Sequence, residues 1–199
     1  MIDNLMQQLP LNISWILRYA ATAHGDREIV SRNCDEPDWR YDYARMARRA
    51  ASAAHWLESL GIQPGDRVSS LAWNNHRHFE LFFAVPSMGC ILHTANPRLP
   101  DEHIAYTINH AGSRVLFFDV NLAGQVQRIA PMLDTVNIFV IMSCSGEGAG
   151  HLDALVYEDM LAAEPEVCAE HLGYAAEMAL MAGDAKRALA LSQEAAVTA

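Results

Sequence analysis

Two short runs restrict this chain more than anything else in it. VLFFDV (115–120) and IFVIM (138–142) are apolar at nearly every position, with none of the alternation that marks a strand with one wet face. Runs of five or six residues, rich in Val, Ile and Phe, read as strands covered on both sides. The segments between them have a different period. Asp101–Ala111 carries Ile104 and Ile108 on one face, and Leu122–Leu133 has the same helical spacing. Strands at Arg67–Ala72, Cys90–Thr94, Arg114–Val120 and Asn137–Met142 therefore alternate with helices of about ten residues, the pattern of βαβ units and a parallel sheet. The expected core of that sheet is Leu71, Leu92, Leu116, Phe117, Ile138 and Val140.

The preceding residues are of mixed type. Asn12 to Ala23 reads as a short helix capped by Asn12 or Ser14. Glu28–Ser31 and Trp39–Tyr43 are β-type runs on either side of NCDEPD (33–38), which is turn chemistry, so they form a hairpin. From Tyr43 to Leu60 the residues Met46, Ala50, Ala53, Ala54, Leu57 and Leu60 recur every three or four positions, and Gly61 ends that helix. Arg45, Arg48 and Arg49 are placed mostly off the stripe. Phe79–Met88 is an apolar helix, and Asp153–Ala163 reads as another short one.

After about residue 166 the composition shifts. The tail to residue 199 is Ala-rich, lacks β signals and breaks once at Gly183-Asp184, which reads as a helical hairpin. Leu172, Ala179, Gly183, Asp184 and Ala188 fall where a tetratricopeptide unit places such residues. A single helical repeat must dock on something to bury its face. The organisation expected is a family-like domain over 1–165 and a helical tail over 166–199.

The charge balance excludes some functions. Against 14 Lys and Arg stand 24 Asp and Glu, a net −10. Such a surface repels phosphate backbones, so no nucleic-acid partner is expected. No apolar run reaches the roughly 18 residues of a membrane span. The N-terminus lacks the basic region of a secretion signal. The four Cys, at 34, 90, 144 and 168, show no metal-ligand spacing and read as reduced thiols of a cytoplasmic protein.

Candidate chemistry is sparse. SCSGEGAG (143–150) follows a strand but ends in His-Leu-Asp, where a phosphate loop needs Lys and then Ser or Thr, so it reads as a surface loop. His76 and His78 form H-x-H at a helix start, and His103 and His110 share a helix face. Neither pair has the third ligand a metal needs, and each histidine is expected to be solvated or capping. No G-x-S-x-G elbow is present, so no catalytic residue is assigned. The remaining candidate is LHTANPRLP (92–100). In open parallel sheets ligands bind beyond the carboxyl ends of strands. Pro97 holds Asn96 out of the helical region, and Asn96 and Arg98 could then present polar groups there. On the residues alone, a plain turn into the helix at Pro100-Asp101 is the better reading.

Resemblance adds to this. The run NNHRHFELFFAVPSMGCILHTANPRLPDEHIAYTINHAGSRVLFFD (74–119), with WRYDYARMARRAA and LGIQPGDRV before it and VYEDMLAAEPE after it, closely resembles the N-terminal part of AMP-forming acyl-CoA ligases of the medium- and long-chain fatty-acyl type. The likeness spans about residues 10–165. It implies an α/β layer of the large domain of an adenylate-forming enzyme. It also implies a carboxylate substrate such as a fatty acid, ATP, magnesium and coenzyme A, giving acyl-CoA, AMP and pyrophosphate. By that resemblance Asn96 and Arg98 lie near the nucleotide end of coenzyme A. The family's Ser/Thr/Gly-rich loop ending in Pro-Lys-Gly has no counterpart here, nor does its catalytic lysine. Lys186, the single lysine, sits in the tail. The expectation is a truncated ligase, inactive alone and prone to self-association. The alternative is a non-catalytic scaffold whose helical tail binds a protein partner.

Overall fold

Every residue of Val115–Asp119 is buried, which fixes it as the centre of the sheet. A computed structural model of the chain describes residues 12–33 and 37–163. The expected helical tail lies outside these residues. In chain order the elements are α1 (Ile13–Ala23), β1 (Glu28–Ser31), β2 (Trp39–Asp42), α2 (Tyr43–Ser59), β3 (Arg67–Leu71), α3 (His76–Ser87), β4 (Ile91–Ala95), α4 (Asp101–Ala111), β5 (Val115–Asp119), α5 (Ala123–Ile129), β6 (Ile138–Met142), β7 (Ala154–Val156) and α6 (Tyr157–Ala163).

β1 and β2 pair antiparallel as the hairpin. The other five strands form one parallel sheet in the order β4-β3-β5-β6-β7. From β4 the chain crosses back past β3 to place β5 on its other side, and then continues outward. The direction of winding therefore reverses between β3 and β5. In open α/β sheets such a reversal leaves a crevice at the carboxyl ends of the two strands.

Side-chain alternation splits the core in two. Val68, Val115, Phe117 and Val140 face the layer of α2, α3 and α6. Leu71, Leu116, Phe118 and Ile141 face α4 and α5. Leu71, Leu116, Phe117 and Val140 are fully buried as expected. Leu92 and Ile138 are only half-buried, because β4 is an edge strand and Ile138 opens β6.

The ends of the helices follow from local chemistry. Asn12 caps α1 and Asp42 caps α2, each accepting a hydrogen bond from a backbone N–H three residues on. Gly61, with φ of +73°, stops the chain after α2 in a backbone region that costs glycine least. Gly112 does the same after α4 at +66°. The guanidinium of Arg67 lies so close that a Cβ on Gly112 would sit 2.6 Å from its Nη2.

The residues from 153 depart from expectation. The expected single helix begins as β7, which pairs with β6, and only then becomes α6. Ala154 and Val156 pack on the core of the α4–α5 face, while Leu155 points outward at 46% exposure. Three residues are too few to establish a period of two, and Ala-Leu run smoothly into the helical pattern that follows. The open edge of β6, with unpaired backbone groups, supplies the preference that the sequence alone does not show.

Candidate functional site

β4 delivers LHTANPRLP to the carboxyl edge of the sheet, as its position required. The loop then turns tightly. Asn96 Oδ1 accepts a hydrogen bond from the Arg98 backbone N–H at 3.0 Å, and the Leu99 N–H donates to the Asn96 carbonyl at 3.2 Å. The Asn96 amide oxygen is thus used by the turn, so the local reading of these residues holds. Arg98 is different. Its side chain is exposed and its Cζ lies 5.7 Å from the ring centroid of Trp73, in the loop that leaves β3. An aromatic face steadies a guanidinium without neutralising it or using its donors.

The β3 loop is itself anchored at the reversal point. Asp119, at the end of β5, is 1% exposed. Its two carboxylate oxygens accept hydrogen bonds from the Trp73 N–H at 2.6 Å and from Asn75 Nδ2 at 2.7 Å. Asn75 Oδ1 in turn accepts from the His78 N–H and caps α3. This chain of bonds runs from β5 through the loop to α3. It fixes Trp73, and through Trp73 the height at which Arg98 sits.

His76 and His78 are not solvated; both are buried. α3 begins three residues earlier than the apolar run suggests, and its first turn lies under the hairpin. His76 stacks on Trp39 at 4.7 Å and its Nδ1 is 2.9 Å from Asn33 Oδ1. His78 Nε2 is 2.9 Å from Ser70 Oγ, and its Nδ1 is 3.1 Å from the Trp73 carbonyl. Burial lowers the pKa of His78. His103 and His110 are exposed, as expected. Among the described residues no group of three or more His, Cys, Asp and Glu could hold a metal ion.

The two hydrogen-bonded Ser–His pairs do not make a nucleophilic site. Ser70 pairs with His78, and Ser69 with His93 at 2.8 Å. Both serines are fully buried, so no substrate carbonyl reaches them. Ser69 gives its proton to Ser113 Oγ. SCSGEGAG is exposed from 144 to 148 and its next element is β7, so it does not open onto a helix N-terminus.

Sequence reasoning missed the most polar part of the interior. Glu80 is completely buried. It accepts hydrogen bonds from Arg49 Nε at 2.7 Å and from the Tyr157 hydroxyl at 2.9 Å. Arg49 also grips Glu158 through both terminal nitrogens, at 2.9 and 3.0 Å. Arg77, also fully buried, donates to Glu158 at 2.8 Å, to the Met142 carbonyl at 3.1 Å and to Cys144 Sγ at 3.2 Å. Burial alone would raise the pKa of Glu158. The charges and donors of His76, Arg49 and Arg77 more than reverse that and hold its carboxyl well below the ordinary range. These two arginines and two glutamates tie α2, α3, the end of β6 and α6 together.

The signal for this network was present. Arg49, expected mostly off the stripe, is in fact on its buried side, three residues after Met46 and four before Ala53. Arg77, Glu80 and Ala84 share a face of α3 by the same spacing. A charge on an apolar stripe predicts a partner of opposite sign on the neighbouring element.

Comparison with known proteins follows this geometry. The model of the family described as AMP-binding enzyme matches residues 17–172. The chain is 42% identical over 149 residues to a 3-methylmercaptopropionyl-CoA ligase of Ruegeria lacuscaerulensis, covering 75% of this chain and 28% of that protein. It is 43% identical over 162 residues to a long-chain-fatty-acid–CoA ligase of Thermus thermophilus, covering 81% and 29%. The fold matches that of an anthranilate CoA ligase solved with anthranoyl-AMP, with a TM-score of 0.70, 18% identity and coverage of 81% and 30%. It also matches the N-terminal domain of FACL13 from Mycobacterium tuberculosis, at 0.63, 24% identity and coverage of 79% and 38%. The chain thus spans less than a third of the length of these curated relatives.

Proposed function

We propose, from the premise that the chain belongs to the AMP-binding enzyme family, that it supplies the coenzyme-A-facing α/β layer of an AMP-forming acyl-CoA ligase. In that reaction a carboxylate attacks the α-phosphorus of ATP and displaces pyrophosphate. The thiol of coenzyme A then displaces AMP from the acyl-adenylate. The names of the relatives favour a fatty acid or a short thioether acid as the carboxylate. The observation that carries the reading is the Arg98 guanidinium, held over Trp73 at the carboxyl end of the sheet beside the reversal between β3 and β5. An exposed, oriented guanidinium suits a nucleotide phosphate. Asn96 shapes the turn that presents it and leaves its amide nitrogen for the same ligand.

The donor set fits one part of this chemistry and not the other. Arg98 and Asn96 can hold the phosphate end of coenzyme A. For magnesium and the ATP triphosphate, the described residues provide no cluster of metal ligands. The 199 residues contain no Thr/Ser/Gly-rich loop ending in Pro-Lys-Gly, and their single lysine is Lys186. Phosphoryl chemistry depends on placed cations and backbone donors. On this reading the 199 residues alone do not adenylate. We place the protein in the cytoplasm, where the thiols of Cys90 and Cys144 would stay reduced. No described helix is long and apolar enough to cross a membrane.

Two measurements on the purified chain test this. With ATP, magnesium, coenzyme A and a panel of fatty acids it should release no pyrophosphate above background; steady turnover would refute that part. Titration with coenzyme A alone, followed by NMR, should perturb the loops at 73–75 and 96–99. Arg98→Ala should remove the response. Perturbation elsewhere, or indifference to the substitution, would remove Arg98 from the site.

A further inference from the structure

A second concavity lies on the other flank of the β3 loop. A cavity of about 300 Å³ opens between β1 and the first two turns of α3. Its walls are Ile29, Val30, Phe79 and Phe82. Val30 is 51% exposed and Phe82 39%, so two apolar side chains that could have been covered face this space. Several polar groups beneath them are already bonded. Asn75 is bonded to Asp119 and to the His78 N–H, His78 to Ser70, and Ser31 Oγ accepts from the His76 N–H. What faces a guest is an apolar wall with two polar side chains at its rim, the exposed Arg32 and Asn74.

The charge among the described rim residues is opposite to that of the chain. Acidic residues outnumber basic ones by 24 to 14 overall, yet among the described residues no acidic one lines the cavity, and Arg32 does. A concave, mainly apolar site with a few convergent polar groups is what small-molecule recognition requires. The volume matches about ten water molecules at the roughly 30 Å³ that each occupies in the liquid. That is room for a body of one ring or a short branched chain.

We propose that this cavity binds a small organic anion. Its apolar body lies against Phe79, Phe82, Ile29 and Val30, and its anionic group meets Arg32 and the Asn74 amide at the rim. The site is separate from the Asn96–Arg98 loop and does not rest on the ligase reading.

Benzenesulfonate is the probe, because its sulfonate forms no acyl-adenylate or thioester, which separates this test from the proposed reaction. Titrated into the isotope-labelled 199-residue chain, it should give saturable NMR shifts centred on Val30, Arg32, Asn74 and Phe82. The dissociation constant should be on the order of 1 mM, as suits about ten non-hydrogen atoms. Arg32→Gln should weaken it about two- to fivefold, the range of an exposed ion pair, and leave the neutral benzenesulfonamide unaffected. Val30→Glu should abolish binding of the anion. If that variant loses its dispersed spectrum, Phe82→Ser, at a partly exposed position, is read instead with the same expectation. Unsaturable shifts, shifts confined to residues 96–99, or equal affinity for the two probes in wild type and Arg32→Gln would each overturn the proposal.

Discussion

Replacing Glu158 with alanine tests whether the buried charges hold the layers together. In the native chain Glu158 accepts three charge-assisted hydrogen bonds, two from Arg49 and one from Arg77. Those guanidiniums have 13% and 0% of their side-chain surface exposed. After the substitution Arg49 keeps Glu80, while Arg77 keeps the Met142 carbonyl and the Cys144 sulfur and loses the Glu158 carboxylate. The buried cluster then carries one negative charge fewer. Removing one partner of a buried pair costs about 3–5 kcal/mol. That is a large part of the roughly 5–15 kcal/mol by which a domain is stable.

The assay is urea and thermal unfolding followed by tryptophan fluorescence and circular dichroism. At about 2–4 °C per kcal/mol for a domain of this size, Tm should fall by roughly 6–20 °C. Glu158→Gln keeps an acceptor and should lose less. The exposed pair Arg40–Glu28, with 58% and 57% of its side-chain surface in water, is the internal control; Glu28→Ala should cost under about 1 kcal/mol. If Glu158→Ala costs no more than that control, the network is an ordinary surface feature and the reasoning from burial fails.

Acid should unfold the chain in two stages. Burial lowers the pKa of His78, so the unfolded state takes up that proton first and stability begins to decline below about pH 6.5. The carboxyl of Glu158 is also held low; its contribution is complete above the ordinary glutamate pKa of about 4.3 and is lost as pH falls below it. Denaturant midpoints between pH 3 and 8 check both, and a flat profile down to about pH 4 contradicts the His78 part. Gly112→Ala forces a side chain into the left-handed region and against Arg67, which should cost about 1–2 kcal/mol or more in the same unfolding assay. Leu116→Ala, at a fully buried position of β5, should cost about 2–5 kcal/mol through the cavity it leaves. The chain should also self-associate at micromolar concentration through apolar side chains such as Ile16 and Tyr19, 62% and 66% exposed. Sedimentation of a single monomeric species would count against that expectation.

What was legible in the sequence was whatever a one-dimensional period records. β5 and β6 are apolar on both faces because helices cover both, so their place inside a parallel sheet could be read directly. α4 begins and ends where Pro100 and Gly112 put it. Boundaries failed where backbone pairing, not side-chain period, decides: β7 exists because β6 offers an open edge. The first turn of α3 failed for a related reason. His76 and His78 look solvated to a hydropathy count; Trp39 of the hairpin stacked on His76, and Ser70, the Trp73 carbonyl and Phe82 around His78, make them interior.

The two candidate sites divide along the same line. Arg98 could be nominated because the end of a parallel strand is a position in the chain, and the sequence places it there. Its support could not be, since Trp73 is 25 residues away and its height is set by Asp119, 46 residues further on from Trp73. The cavity beside α3 is less legible still. Ile29 and Val30 belong to a hairpin, Phe79 and Phe82 to a helix, and each pair alone reads as ordinary core. Their shared concavity arises where Ser31, Asn33 and Trp39 hold His76 and fix the hairpin against the start of α3. Periodicity predicts which residues leave water; which of them are left facing a space is decided by hydrogen bonds between elements distant in sequence.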